Sequence, residues 1–298
     1  MTQLPRPAAA PPMSHQTRPI WWSVRREVWE NRSLYLAPIG VGGFIFAGFI
    51  MSAIGLPARR RAVLLLDEAR QRAGITLPYN VAAAMLLVAL MIIGAFYCLD
   101  ALYGERRDRS ILFWKSLPVS DSSSVLAKAL IPLVVLPLII FAVIVAVHVL
   151  MLIWTSLLLL TSGMSPLSTF RHFHLLEQSL IHLYVIAAMV LWHAPLYGWI
   201  LLVSAWARRA PLLWVVLPLF AIGAFERLAL NSTHFAAFLK YRVVGMRRAF
   251  DVKAHSIDFL SQLTPWTFLK TPALWIGLAV AAAFIAAAVR LRRNREPI

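Results

Sequence analysis

The chain has 298 residues, of which 60% are hydrophobic and only 14% are charged. A soluble globular domain carries about 25% charged residues, so this composition excludes an ordinary water-soluble protein. The net charge of +16 is high, but the Lys and Arg residues stand at the edges of apolar runs, which indicates contact with membrane surfaces and not with nucleic acid. The single cysteine, Cys98, excludes an intrachain disulfide and a thiolate metal cluster.

The N-terminal segment, 1–32, precedes any apolar run long enough to span a membrane. Residues 1–19 are rich in Pro and Ala and lack the apolar core of a signal peptide, so we expect a disordered cytoplasmic tail. In 20–32, Trp21, Val24 and Val28 fall at helical spacing. We expect a connecting helix lying in the membrane interface, with Arg25, Arg26, Glu27 and Glu30 on its other faces. Trp29 completes the candidate residues of this helix.

Three spans are predicted in the first half of the chain. The first covers 34–54 and the second 81–102. The apolar run over 125–163 is too long for one span and too short for two with a turn. We predict one span kinked by Pro132 and Pro137 and ending near His148, followed by an outer or interfacial helix over 149–160.

The second half of the chain predicts three further spans. They cover 180–206, 211–225 and 271–289, and the first two form a helical hairpin. A longer outer region, 226–270, separates the last two spans, and residues 291–298 form a basic tail. The predicted fold is therefore an all-α polytopic membrane protein, with a six-span transmembrane domain over 33–290.

The distribution of cations predicts the orientation. With six spans both termini lie on one side, and 16 basic residues fall on that side against 13 on the other. The longest loop of the other side holds seven of the 13, and long loops count little toward orientation. We therefore place both termini in the cytoplasm.

Motifs for ATP hydrolysis and for zinc are missing from the sequence. The chain lacks the G-x-x-x-x-G-K-[ST] phosphate loop, so we expect no ATPase activity and no catalytic residue, cofactor or metal in this chain. His148, His182 and His193 have no spacing that closes a zinc site with carboxylates, and we expect each to be an ordinary hydrogen-bonded or interface-lining histidine.

Glu226 is the most conspicuous acidic residue near an apolar run. It follows PLFAIGAF, at or just inside a membrane boundary. Buried carboxylates in spans are costly and often functional, which makes Glu226 a candidate polar residue of a translocation path. The alternative is a boundary ion pair with the adjacent Arg227.

The most charged short segment lies between the second and third spans and carries a family resemblance. Residues 100–130, DALYGERRDRSILFWKSLPVSDSSSVLAKAL, closely resemble the cytoplasmic loop of bacterial ABC type-2 transporter permeases. REVWENRSLYLAPI over 26–39 looks like the N-terminal connecting helix and first span of that family. TPWTFLKTPALW and LRRNREP near the C-terminus look like its last span and tail.

The resemblance implies an ABC exporter permease in the bacterial cytoplasmic (inner) membrane. Two permease halves, identical or paralogous, would pair in the lipid bilayer, each resting on a cytoplasmic ATP-binding subunit that holds the ATP and Mg. The loop over about 105–117 would be the coupling helix, with a charged half and an apolar half suited to a partner's groove. Its candidate residues are Glu105, Arg106, Arg107, Asp108, Arg109, Ile111, Leu112, Phe113, Trp114 and Lys115.

Two other classes of function stay open at this point. A membrane-embedded enzyme would use Glu226 or the histidines and requires several polar groups to converge at one depth. A non-transporting scaffold or sensor subunit would leave the ATPase rate of a partner unchanged. The cargo of a transporter is not encoded in any motif, although uniformly apolar spans suit a lipid-like or amphipathic molecule.

Overall fold

The computed structural model describes residues 19–111, 120–245 and 263–294, and the regular structure in these ranges is helical throughout. Nearly all of the predicted N-terminal tail, part of the outer region and the end of the basic tail lie outside the described residues. The helices are α1 (Pro19–Glu30), α2 (Ser33–Ser52), α3 (Leu56–Val63), α4 (Glu68–Ala101), α5 (Tyr103–Arg107), α6 (Asp121–Leu130), α7 (Leu136–Thr161), α8 (Leu167–His172), α9 (Leu175–Trp206), α10 (Pro211–Leu230), α11 (His234–Val244), α12 (Pro265–Leu269) and α13 (Pro272–Asn294).

Six helical segments of the described chain are long and apolar enough to cross a membrane. They are built on α2, α4, α6 with α7, α9, α10 and α13, in the places where the sequence predicts spans. An all-α, multi-pass membrane fold is therefore supported by both length and composition. Because about 20 helical residues cross the hydrocarbon core, the 34 residues of α4 extend well beyond it.

Two span boundaries differ from the sequence prediction. Helix α4 begins at Glu68, where the Asp67 carboxylate accepts a hydrogen bond from the Arg70 N–H, and not at residue 81. Helix α7 continues without a break to Thr161, so residues 149–160 belong to the same run of helix that passes His148. No Pro or Gly interrupts residues 138–161, and nothing else in that apolar stretch stops a helix.

The predicted irregularity at Pro132 and Pro137 is present as one turn of π-helix. It covers Ile131–Val135 and joins α6 to α7. Pro132 has no N–H to donate to the helical ladder, and a widened turn accommodates that loss. The third span is thereby divided into a short polar-capped helix and a long apolar one, with Ser120 accepting from the Ser123 N–H at the start of α6.

The main core lies between α2, α4, α7 and α9. Its fully buried side chains include Leu86, Leu90, Ile140 and Ile144. Helix α13 packs along α9 at close range, because Gly198 on α9 lets the backbone of Ala281 approach. A Cβ built on Gly198 would lie 3.2 Å from the Ala281 carbonyl oxygen and 3.3 Å from Phe284 Cβ.

Helix α10 stands apart from this core. Only 6% of its apolar window is buried within the chain, and its large side chains Leu213, Leu217 and Phe220 are 63%, 59% and 74% exposed. Such a helix is compatible with lipid or with another membrane protein around it, but not with water. The outer region that follows contains α11, which folds back against α9 and α10.

The close approach at Gly198 generates a stability prediction. We expect Gly198→Val to push α13 away from α9 and to destabilise the protein by about 1–3 kcal/mol, the usual cost of overpacking. Thermal unfolding of the detergent-solubilised protein measures the effect. Gly40→Val on α2 is the matched control, because a Cβ at Gly40 meets nothing within 4 Å. Equal losses for the two variants would contradict the proposed α9–α13 contact.

Candidate functional site: a buried ionic cluster at one end of the bundle

Five charged side chains meet where α1, α5, α6 and α13 come together. We call this end of the bundle the proximal end, and the opposite end the distal end. The five residues, which we call the ionic cluster, come from widely separated parts of the sequence. They are Glu27, Glu105, Asp121, Lys128 and Arg292.

Lys128 is the centre of one half of the cluster. Its Nζ lies 2.8 Å from Glu27 Oε1 and 3.2 Å from Glu105 Oε1, and its side chain is only 5% exposed. The ammonium therefore joins the connecting helix α1 to the loop after the second span. A buried lysine is tolerated here because two carboxylates compensate its charge.

Arg292 is the centre of the other half. Its Nη1 lies 2.8 Å from Glu105 Oε2, and its Nε donates to Asp121 Oδ1 at 3.0 Å. The Arg292 side chain is 4% exposed. Because each oxygen of Glu105 faces a different cation, Glu105 connects α5 to α6 and to the end of α13 at once.

Glu27 has the largest set of polar contacts in the cluster. Tyr97 donates to its Oε2 at 2.9 Å, and Arg26 donates to its Oε1 at 3.0 Å. Burial by itself raises the pKa of a carboxyl group. Here the Lys128 charge and the hydrogen bonds from Lys128, Arg26 and Tyr97 outweigh burial, so the pKa of Glu27 lies below its ordinary value. Glu27 is therefore a buried carboxylate held ionised by its neighbours.

A cavity of about 430 Å³ opens beside the cluster, between α1, α2, α4 and α5. Glu30, Asp100 and Asp108 line it together with Glu27, Glu105 and Lys128. Partial burial raises the pKa of Glu30; the neighbouring Glu27 and Glu105 charges act in the same direction, and Arg26 opposes them. The cluster thus lies between the apolar core and a polar cavity.

The loop after the second span is anchored by a second group of contacts. Ser204 Oγ accepts from the backbone N–H groups of Leu102 and Tyr103 at 3.1 and 2.9 Å, and donates to the Leu99 carbonyl at 2.8 Å. Arg106 Nη2 donates to the Ser204 and Ala207 carbonyls at 2.8 and 2.6 Å. These carbonyls lie at the C-terminal end of α9, where a helix leaves its carbonyls without partners of its own.

The predicted coupling residues divide into an inward and an outward set. Glu105, Arg106 and Ile111 are turned into the chain, with Arg106 and Ile111 each only 2% exposed. The exposed residues are Arg107, Asp108 and Arg109. Leu112, Phe113, Trp114 and Lys115 lie outside the described residues. Within the described part, the outward set alone is available to a partner.

Helix α1, the predicted connecting helix, exposes arginine and tryptophan side chains and turns one acidic residue inward. Trp21, Trp22 and Trp29 are more than half exposed, and the Arg25 guanidinium lies 4.4 Å from the centre of the Trp29 ring. Such an Arg–Trp surface is typical of a helix at the headgroup level. The sequence pattern predicts Glu27 on a polar outer face, but it points inward because Lys128 and Tyr97 provide its partners.

Glu226 has a local structural role at the distal end. Its Oε1 accepts from Ser232 Oγ at 2.6 Å and from the His234 N–H at 2.7 Å, and its Oε2 accepts from the Phe235 N–H at 2.8 Å. The carboxylate thus satisfies the free N–H groups at the start of α11. The alternative ion pair with Arg227 is not formed among the described residues.

Two of the three histidines singled out in the sequence meet inside the bundle. The rings of His148 and His182 are 5.3 Å apart, and His148 Nε2 lies 3.0 Å from the Tyr79 carbonyl. His182 and His193 each bond a backbone carbonyl of their own helix through Nδ1. Over the described ranges, no group of three or more His, Cys, Asp or Glu side chains is placed to hold a metal ion.

Comparison with family profiles, with curated proteins and with solved structures finds no match to this chain. The resemblance to ABC type-2 permeases therefore depends on the residues quoted above. The geometry of the ionic cluster is independent of that resemblance.

Removal of Lys128 tests the stability contributed by the cluster. Lys128→Met leaves the Glu27 and Glu105 carboxylates buried without their common cation, and we expect a loss of about 3–5 kcal/mol. Arg70→Met is the matched control, because it breaks the Arg70–Asp67 pair, whose side chains are 73% and 58% exposed, and exposed pairs contribute about 0–1 kcal/mol. Detergent unfolding curves that shift equally for both variants would contradict a buried cluster.

The Glu27 carboxylate also predicts a pH dependence. Its pKa is lowered in the folded protein, so its contribution to stability is complete above the ordinary value of 4.5 and is lost as the pH falls through the lower, folded value. We expect the difference in Tm between wild type and Glu27→Gln to be largest near neutral pH and to shrink below pH 4.5. The exposed Glu68→Gln serves as the control. A difference that grows in acid would contradict the assigned charge state.

Proposed function

We propose that this chain is the transmembrane permease subunit of an ATP-driven ABC exporter, working with a separate cytoplasmic ATP-binding subunit. The proximal end would then face the cytoplasm. Binding and hydrolysis of ATP on the partner would move the loop after the second span, and the six-span domain would respond by opening its pathway to one side or the other.

The ionic cluster is the observation that carries this proposal. A coupling element must transmit force to the spans. A solvent-exposed loop without contacts to the bundle would not transmit it. Glu105 on α5 is ion-paired with α6 through Lys128 and with the end of α13 through Arg292. Displacement of this loop therefore acts on α6 and α13 together, since separating either of them from Glu105 leaves a buried charge unpaired.

The orientation of the loop side chains supports contact with a partner. Its inward residues fix its position on the bundle, whereas Arg107, Asp108 and Arg109 are exposed beside one another. Arg109 has a positive φ of 57°, a conformation that turns the chain sharply between α5 and the helical residues that follow. Exposed charges on a fixed turn set the register of a docked protein.

The isolated helix α10 supports pairing with a second permease copy or paralogue in the bilayer. Its apolar side chains are exposed along its whole length, and another membrane helix or lipid must cover them. The alternative of a membrane-embedded enzyme lacks a comparable observation, because the polar contacts of Glu226 all serve the turn and the start of α11. A sensor or scaffold subunit is distinguished by the assay below.

Co-expression of this chain with ABC ATP-binding proteins of the same genome, followed by co-purification and an ATPase assay, tests the proposal. We expect the double variant Arg107→Ala with Arg109→Ala to lose most of the assembly or of the coupled ATPase activity. Arg227→Ala with Lys240→Ala, which removes the same charge from the distal end, should behave as wild type. Trp114→Ala extends the test to the apolar half of the predicted coupling helix.

Three results would overturn the proposal. One is failure of the wild-type chain to bind any of these ATP-binding proteins in nanodiscs. Another is binding without any effect on the ATPase rate, which would favour a scaffold or sensor subunit. The third is an equal loss in the proximal and distal double variants.

A further inference from the structure

A second cavity lies at the distal end and is almost entirely apolar. It has a volume of about 370 Å³ and is lined by α9, α10, α11 and α13. The side chains that form its walls come from all four helices, among them Leu196, Ile222, Phe238, Ile276 and Phe284. One wall is α10, the helix that packs least against the rest of the described chain, so the cavity lies at the lipid-facing side of the bundle.

Among the described residues, the one charged side chain that lines this cavity is Arg242, on α11. It is only 5% exposed. Its Nη1 donates to the Ala273 carbonyl at 3.0 Å, and the guanidinium stacks on Trp192, with Cζ 4.6 Å from the ring centre. Within the described part of the chain, Nη2 has no hydrogen-bond partner and Arg242 forms no ion pair.

An unpaired guanidinium in such a place is costly unless an anion binds it. The position of Arg242 is nevertheless fixed from several sides. Trp192 Nε1 donates to its backbone carbonyl at 3.0 Å, and the guanidinium occupies the space that a Cβ on Gly277 would need. Arg242 is thus a held cation in the wall of an apolar cavity, and among the described residues one of its donors, the buried Nη2 beside Gly277, is unpaired. Such an arrangement is suited to a ligand with an anionic head and an apolar tail.

The depth of Arg242 identifies where that anionic head lies in the bilayer. Arg242 contacts Ala273, in the first turn of α13, whereas Arg292 of the ionic cluster lies in the last turn of the same helix. At ~1.5 Å per residue, the stretch of α13 from Ala273 to Arg292 is about 28 Å long, close to the ~30 Å thickness of the hydrocarbon core. If the ionic cluster lies at one headgroup boundary, Arg242 lies at the other.

We infer that this cavity binds an anionic phospholipid of the distal leaflet, with the phosphate on Arg242 and one acyl chain in the apolar cavity. Ala273, Ile276, Val280 and Phe284 line the cavity along α13, a wall about 16 Å long at ~1.5 Å per residue. That elongated apolar wall fits a chain and not a compact molecule. The inference does not depend on the proposed transport function, because it requires only the membrane and the geometry around Arg242.

Native mass spectrometry of the protein released from nanodiscs tests this site. Nanodiscs containing phosphatidylglycerol are compared with nanodiscs containing phosphatidylethanolamine. We expect the wild-type protein to retain one phosphatidylglycerol and to release phosphatidylethanolamine at least tenfold more readily. Arg242→Gln should reduce retention of phosphatidylglycerol about tenfold, whereas Arg227→Gln, which removes an exposed cation at the same end, should not.

A second variant keeps the test decisive if Arg242→Gln fails to fold. Ile276 lines the cavity and is 66% exposed. The variant Ile276→Trp therefore adds bulk at the apolar part of the cavity without disturbing the core. We expect it to reduce lipid retention to the same degree as Arg242→Gln. Equal retention of both lipids, or full retention by both variants, would overturn the site. Cross-linking of two copies through Ile276→Cys in a Cys98→Ala background would also overturn it, since a second copy would then cover the cavity.

Discussion

The position of Glu105 between Lys128 and Arg292 is the constraint on which the proximal half of the structure depends. The Lys128, Glu105 and Arg292 side chains are 5%, 9% and 4% exposed, and a buried charge without its partner costs several kcal/mol. A buried ion pair adds little stability compared with an apolar pair of the same size. What the cluster provides is register, because α1, α5, α6 and α13 must meet in one arrangement for all the charges to be compensated.

This constraint makes the loop after the second span a part of the bundle. The cluster holds Glu105 from one side, and the end of α9 holds Arg106 and the backbone of Leu102 and Tyr103 from the other. Residues 102–106 therefore connect the end of α4 to the end of α9, and they position the exposed charges at 107–109. The distal end is organised differently, by a carboxylate that caps α11 and by a guanidinium among apolar side chains.

The fold is predictable from sequence to the extent that it depends on continuous apolar runs. An apolar length of about 20 residues identifies a span whatever its neighbours are. Pro132 likewise predicts the irregular helical turn at its own position, because proline has no N–H to donate. The end of α7 is not predictable in this way, because the apolar run continues past the membrane thickness and composition does not show where the hydrocarbon stops. The start of α4 is hidden because its first turns are polar and are stabilised by the Asp67 cap.

The site is predictable only in part, because it is built from tertiary contacts. Glu105 and Arg292 lie in opposite halves of the chain, and no spacing rule joins them. The charged loop stands out by its own sequence, but which of its charges turn inward depends on Lys128, Arg292 and the end of α9. Ser204 carries no sequence signal at all. Periodicity does not reveal the turn at 232–235 that brings Glu226 its capping partners. The sequence therefore offers only a membrane path or an ion pair with Arg227 for that residue, and not the cap of α11 that the structure shows.

The central claim is that the loop and the end of the last span move as one body. The direct measurement is the distance between spin labels at Tyr103→Cys, a half-buried position on α5 outside the outward set, and Asn294→Cys, an exposed position at the end of α13. Both labels are placed in a Cys98→Ala background, with the proposed ATP-binding subunit present and with or without ATP. Rigid coupling through Glu105 predicts one narrow distance distribution that ATP does not change, and a broadened distribution when Glu105→Gln is added. A shift of several ångströms on ATP binding in the protein with an intact cluster would contradict the claim.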